Sequence, residues 1–170
     1  MPLSSIINLV IFQAAWFSAA LLRDDSIIIL VLLLAIHAYF NPKKQLDLYT
    51  VMWVLPIGIA SELLMILTGL LSYQSELMLP IWMVLLWVHL SISLNHSLEW
   101  MQKIPVIWQS VLAALAGAGS YAAATNLGAI NLPNSQVVSL MIIAVIWGIQ
   151  LPLMMKVAGY VKRGRFTCPT

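Results

Sequence analysis

Seven polar or ionisable residues interrupt the long apolar runs of this chain: His37, Glu62, His89, Ser93, Asn95, His96 and Glu99. An ionisable side chain placed in hydrocarbon costs at least about 2.5 kcal/mol on insertion scales, so such groups are expected to face inward and to be paired. His96 and Glu99 lie three apart, share a helical face and could ligate one ion. His89 and His96 share a face too, but seven residues give about 10.5 Å of rise, too far for one metal unaided. A di-iron bundle site wants about four carboxylates and two histidines. Only Glu62 and Glu99 are carboxylates placed clearly within helices, so that chemistry is excluded. Histidine-box desaturation or hydroxylation also needs more histidines than the three present. His37 and His96 fall at similar depth and could clamp a b-type haem as two axial ligands. Apart from that alternative, no cofactor and no metal site is expected.

Depth suggests a partner for Glu62. Counted along their helices, Glu62 and His89 come within about one turn of each other. A Glu62–His89 hydrogen bond is the simplest way to satisfy both, and the same pair could handle a proton or hold a substrate.

The elements that position these residues follow from composition. The chain has 170 residues, 62% hydrophobic and 8% charged, against a soluble norm of roughly 25% charged. A soluble domain of this size cannot hide so much apolar surface, so the bilayer must act as solvent. Net charge is +2 and the basic residues sit at helix ends, which argues against nucleic acid as a partner. The single cysteine, Cys168, excludes an internal disulfide and a cysteine-based metal site, and its position does not fit a prenylation box. Met1 to Phe12 carries no Lys or Arg, so the first apolar stretch is expected to stay as a membrane helix and not to be removed as a signal peptide.

Spans of about 20 apolar residues are needed to cross a bilayer. The fold predicted is an all-α integral membrane bundle, one domain over residues 1–170 with six transmembrane helices. Their ranges are about 4–22, 26–40, 48–71, 80–101, 104–124 and 137–161. Asn41-Pro42-Lys43-Lys44 stops the second helix, and Pro56 with Gly58 suggests a kink in the third. Lys43, Lys44, Lys103, Lys162, Arg163 and Arg165 gather on one side, against Arg23 alone on the other. The positive-inside rule then places both termini in the cytoplasm. Tyr39, Tyr49, Trp53, Trp100, Trp108 and Tyr160 read as an inner interfacial belt, and Tyr73, Trp82 and Tyr121 as an outer one.

The fifth helix is rich in small residues, with Ala113/Gly117 and Ala116/Ser120/Ala124 at four-residue spacing. Small residues let membrane helices approach closely. Ala113, Gly117 and Ser120 are therefore expected at a packing seam, within the bundle or towards another subunit or an acyl chain. No nucleophile elbow, phosphate loop or paired catalytic carboxylates appear. The halves show no matched broken helices of the kind found in inverted-repeat transporters.

Six segments taken together resemble a family of small bacterial inner-membrane proteins known as domain-of-unknown-function family 2878. They are NLVIFQAAWF from Asn8, Glu62 to Leu70, PIWMVLLW from Pro80, LNHSLEWM from Leu94, AGAGSYAAATNLGA from Ala116 and WGIQLPLMMKVA from Trp147. The resemblance implies a bacterial inner-membrane location and a genomic context near lipid-modifying functions, but no activity. It directs attention to Gln13, Trp16, Glu62, Trp87, Asn95, His96 and Tyr121. The leading expectation is an accessory or assembly subunit linked to membrane lipid modification or a larger membrane complex. Its partners would be membrane lipids and other membrane subunits. The alternative is a small transporter or membrane-embedded lipid-binding enzyme using Glu62, His89, Asn95, His96 and Glu99.

Overall fold

Runs of Leu, Ile, Val and Ala with few glycines favour helix wherever no water competes for the backbone. In the computed structural model, which describes residues 3–164, they form α1 (Leu3–Leu22), α2 (Ile27–Phe40), α3 (Lys44–Leu67), α4 (Ile81–Ser93), α5 (Val106–Asn126) and α6 (Gln136–Lys162). Arg165 and Cys168 lie outside the described residues. The chain is 79% helical, and the one sheet among the described residues is the pair β1 (Ser72–Tyr73) and β2 (Ile130–Asn131). They run antiparallel, with Ser72 opposite Asn131 and Tyr73 opposite Ile130. The all-α expectation holds.

The helices alternate in direction, giving the bundle two distinct ends. At the hairpin end, α3 and α5 stop by the same device. Gly69 and Gly128 take φ of +69° and +71°, a region other residues avoid. The next amides, of Leu70 and Ala129, then reach back to the Met65 and Ala124 carbonyls at 2.9 Å. Both exits lead straight into the β1–β2 pair. Asn134 Nδ2 donates to the Gly69 carbonyl (3.1 Å) and Arg23 to that of Leu127 (3.1 Å), binding the loops together. At the other, basic end lie Lys43, Lys103 and Lys162.

Two sequence-derived boundaries are corrected. The third helix ends at Leu67 and not Leu71, because Gly69 reverses the chain. The fourth ends at Ser93 and not Met101. Beyond it the backbone tightens into turns, with the Asn95 and His96 amides on the Ile92 and Ser93 carbonyls (3.2 and 3.1 Å), and a 3₁₀ turn covers Glu99–Lys103. A continued helix would have carried Asn95, His96 and Ser97 onto three different faces. The turns let each find a partner inside the bundle.

α3 and α4 form the centre, with α1 and α2 against α4, while α6 joins α3 to α5. The fully buried side chains include Leu30, Val54, Met65, Leu94, Ile143 and Met154, contributed by α2, α3, α6 and the turn after α4. The outer faces are equally apolar: Leu3, Ile28, Leu67, Leu115, Val137 and Ile149 are each at least 67% exposed. Such a surface suits lipid and would aggregate in water. α3, α5 and α6 are long and apolar enough to cross a bilayer.

Candidate functional site

One face of α3 organises the interior. Asp47, Thr50, Val54, Gly58, Glu62 and Met65 recur at spacings of three and four and are all buried. This is the i, i+3, i+4 stripe of a helix facing a core, yet a carboxylate stands near each end of it. Each carboxylate organises a cluster of its own.

Glu62 is fully buried and accepts three hydrogen bonds from three different elements. The donors are the Tyr73 hydroxyl from β1, Trp87 Nε1–H from α4 at 3.2 Å and the Tyr121 hydroxyl from α5 at 2.7 Å. Trp87 stacks on Trp147 of α6, with centroids 5.4 Å apart and planes 15° from parallel. Each indole lies on a glycine. A Cβ at Gly58 would come within 2.3 Å of the Trp87 ring, and one at Gly117 within 2.3 Å of Trp147. Both glycines thus provide the depth in which the stacked pair fits. Tyr73 lies in β1, beyond the end of α3, and burial beside Glu62 pushes its phenol well above the usual value, so the hydroxyl keeps its proton.

The aromatic cluster forms the floor of a groove of about 550 Å³ between α1 and α5. Phe12 and Trp16 of α1 face Ala116 and Ser120 of α5, with Trp87, Tyr121 and Trp147 below. Gln13 is the polar residue contributed by α1. The groove is bounded by Trp82 and Ile130 towards the hairpin end and by Leu98 and Met101 towards the basic end. The lining α5 residues Leu112 to Ala124 cover twelve steps, about 18 Å of helix. Volume and lining match a site for one hydrophobic molecule.

The second cluster sits at the basic end. His37 Nε2 of α2 donates to Asp47 Oδ2 (2.8 Å), and His96 Nε2, from the turn after α4, donates to Asp47 Oδ1 (2.7 Å). The Asn41 side-chain amide also donates to Oδ2, while its Oδ1 accepts the Lys43 amide (3.0 Å). The imidazoles meet edge to face with centroids 5.1 Å apart. Asn95 Nδ2 donates to Thr50 Oγ1 (2.9 Å), and Ser97 donates twice to Asn8 Oδ1, at 2.7 Å from its hydroxyl and 3.2 Å from its amide. The turn after α4 is thus tied to α3 on one side and α1 on the other.

Several expectations are revised by this geometry. Glu62 does not bond His89: Trp87, Tyr73 and Tyr121 saturate it, and His89 Nε2 donates instead to the Leu30 carbonyl of α2 at 3.2 Å. Two residues of helix turn the chain about 200°, so Trp87 and His89 cannot both face α3. His96 and Glu99 do not share a partner either. His96 turns to Asp47, and Glu99 pairs with Lys162 at 2.5 Å on the exposed rim. Glu62 and Glu99 are not the only carboxylates to weigh, because α3 starts at Lys44 and places Asp47 in its first turn, buried. Tyr73, Trp82 and Tyr121 are not an interfacial belt, since Trp82 and Tyr121 are buried and Tyr73 is tied to Glu62. Ala113 and Gly117 are buried, Gly117 against Trp147, and together with Ser120 they line the groove.

Asp47, Asn41, Tyr73 and Asn8 were missed by the sequence reading. For Asp47 a signal existed: it opens the three-and-four stripe of α3 that carries Glu62. Tyr73 gave none, since only the Gly69 turn and the β1–β2 pair bring it back over α3.

No curated protein and no solved structure matches the chain. A family model described as protein of unknown function (DUF2878) matches residues 5–153, a span that includes the Glu62 cluster, the groove-lining residues and His37, Asp47 and His96. Over nearly its whole length, then, the chain belongs to the DUF2878 family.

Proposed function

We propose that this protein is a lipid-handling membrane protein that holds one hydrophobic chain in the groove between α1 and α5. The groove is the single observation that carries the reading. It is apolar, about 550 Å³ in volume, and lies among helices whose outer faces suit lipid. A lipid tail could enter sideways from the bilayer without crossing water. The few polar groups, Gln13, Ser120 and the Tyr121 hydroxyl, would orient a headgroup or a polar substituent.

In this reading all six helices span the inner membrane of a bacterium with both termini cytoplasmic, as the cluster of lysines at the basic end supports. The role is that of an accessory component serving lipid modification. A second reading, that a helix from another subunit fills the groove, is less favoured by size. A helix with side chains is about 10–12 Å across, and even two turns of one would overfill this volume.

Native mass spectrometry of protein purified in mild detergent tests the proposal. Wild type should retain one lipid or other chain-bearing amphiphile per protein. Ala116→Trp, which fills the groove from α5, should lose it while remaining monodisperse. Wild-type protein without such a ligand, or a variant that keeps the same ligand, would remove the basis for the reading. A stoichiometric membrane subunit lost on Ala116→Trp would support the second reading instead.

A further inference from the structure

Three metal-competent side chains converge at the basic end from three separate segments. His37 Nε2, Asp47 carboxylate oxygen and His96 Nε2 all lie within 4.8 Å of one another. We infer that His37, Asp47 and His96 form a binding site for one divalent transition-metal ion of the Zn²⁺ or Fe²⁺ class. This site is separate from the lipid groove, none of whose lining residues it uses.

The donor set fits that chemistry. Two imidazoles and one carboxylate suit zinc and non-haem iron, whereas Ca²⁺ and Mg²⁺ prefer oxygen ligands throughout. Both histidines present Nε2, and each addresses a different oxygen of the one carboxylate. The present separations of 2.7 and 2.8 Å are those of hydrogen bonds. Ligand atoms around a four-coordinate zinc, each about 2.0–2.1 Å from the ion, stand roughly 3.3 Å apart. Each imidazole must draw back from the carboxylate by about half an ångström, the three ligand atoms, now within 4.8 Å of one another, must settle to that spacing, and each ring would bind the ion as the neutral tautomer with its proton on Nδ1. Three protein ligands leave at least one coordination position for water or substrate.

The surroundings fit as well. Asn41 holds Asp47 through its amide and is itself fixed by the Lys43 amide, which is how outer-shell groups orient a ligating carboxylate. Both histidine side chains are about nine-tenths buried, at 8% and 10% exposure. The ion would therefore join α2, α3 and the turn after α4 at a place close to water yet shielded from it.

The test uses the full chain in detergent, carrying a tag without histidines and Cys168→Ser so that the thiol contributes no ligand. Zn²⁺ is titrated calorimetrically, and Co²⁺ serves as the coloured probe. The expected result is one Zn²⁺ per protein, displacing Co²⁺ whose visible absorption reports nitrogen and oxygen ligands in low symmetry. His37→Gln, Asp47→Asn and His96→Gln should each weaken binding at least tenfold, while Glu99→Gln leaves it unchanged. If Asp47→Asn fails to fold, the two histidine variants carry the comparison. Should the histidine variants also be lost, metal content of wild type settles the matter. No stoichiometric Zn²⁺ on wild type, or binding equal in wild type and any folded ligand variant, would overturn the site.

Discussion

Asp47 and Glu62 lie on one face of one helix, fifteen residues or about 22 Å apart, and each accepts three hydrogen bonds from its own set of partners. Around Glu62 the donors are two phenols and an indole, deep among stacked rings. Around Asp47 they are two imidazoles and an amide, near the basic end. The phenols and the indole give Glu62 proton donors but no lone pair suited to sharing a cation at neutral pH. Imidazoles can exchange their protons for a metal. The same kind of carboxylate on the same helix therefore does different work, because the partners differ: one fixes the shape of a groove, the other offers a ligand set.

The strongest way to break that comparison is to remove each carboxylate in turn. Glu62→Leu leaves three buried donors without an acceptor, and each such group costs about 1–3 kcal/mol. The expected loss is at least about 3 kcal/mol, read from reversible unfolding in mixed micelles. Asp47→Leu should cost less, about 1–2 kcal/mol, because its partners are close enough to the bundle end to turn towards water. Equal losses would show that depth in the bundle does not separate the two sites.

The fold could be read from the sequence to the extent that it rests on periodic apolar runs. Six helices form where the apolar runs and turn residues put them, apart from the ends of the third and fourth, since apolar runs of this length between Gly, Pro and charged turns read as helix. Failures came where tertiary contacts decided. The unwinding after Ser93 depends on Asn8, Asp47 and Thr50, none of them adjacent in sequence. The Glu62–His89 pairing failed because depth was matched without asking which face each residue occupied, and Trp87 already held that face. Gly58 and Gly117 illustrate the same limit. They were read as a kink and a packing stripe, and only the structure reveals that each seats an indole.

Gly117 sharpens the comparison through packing alone. Gly117→Ala drives a methyl into Trp147, 2.3 Å from its nearest ring atom, and should destabilise by about 1–3 kcal/mol, since overpacking costs that much. It should also disturb ligand retention in the groove, because Trp147 forms part of the floor. Gly119→Ala, with nothing within 4 Å of the added Cβ, should be neutral or stabilise by up to about 1 kcal/mol through helix propensity. Two alanines in one turn with opposite signs would show that α5 uses its small residues position by position. Similar effects would show a generic stripe.

Single phenol deletions probe the Glu62 cluster more gently. Tyr121→Phe and Tyr73→Phe each remove one donor while the other two still serve Glu62, so each should cost about 1 kcal/mol. The two should differ in where the effect appears. Tyr121 lines the groove, so its loss should alter ligand retention; Tyr73 does not line it and should change stability alone. Identical effects on ligand retention would mean that the cluster acts only by holding the fold.

The smallest effect is expected at the carboxylate that belongs to neither cluster. Glu99 meets Lys162 at 2.5 Å on the rim, with side chains 36% and 38% exposed. The hydrogen bond from Lys162 holds the Glu99 carboxyl below its usual range, with partial burial opposing. A carboxylate with a depressed folded value contributes stability above its ordinary titration range and loses that contribution as pH falls through the lower, folded value. Exposed pairs of this kind contribute at most about 1 kcal/mol, because water and salt screen them. Glu99→Gln should therefore cost no more than that at pH 7, and the difference from wild type should vanish in acid, where wild type carries the same neutral side chain. A gap that persisted in acid would mean that Glu99 acts through packing and not through its charge. A gap at pH 7 as large as that of Glu62→Leu would place a third structural carboxylate at the rim, and burial would no longer explain why the two interior ones dominate.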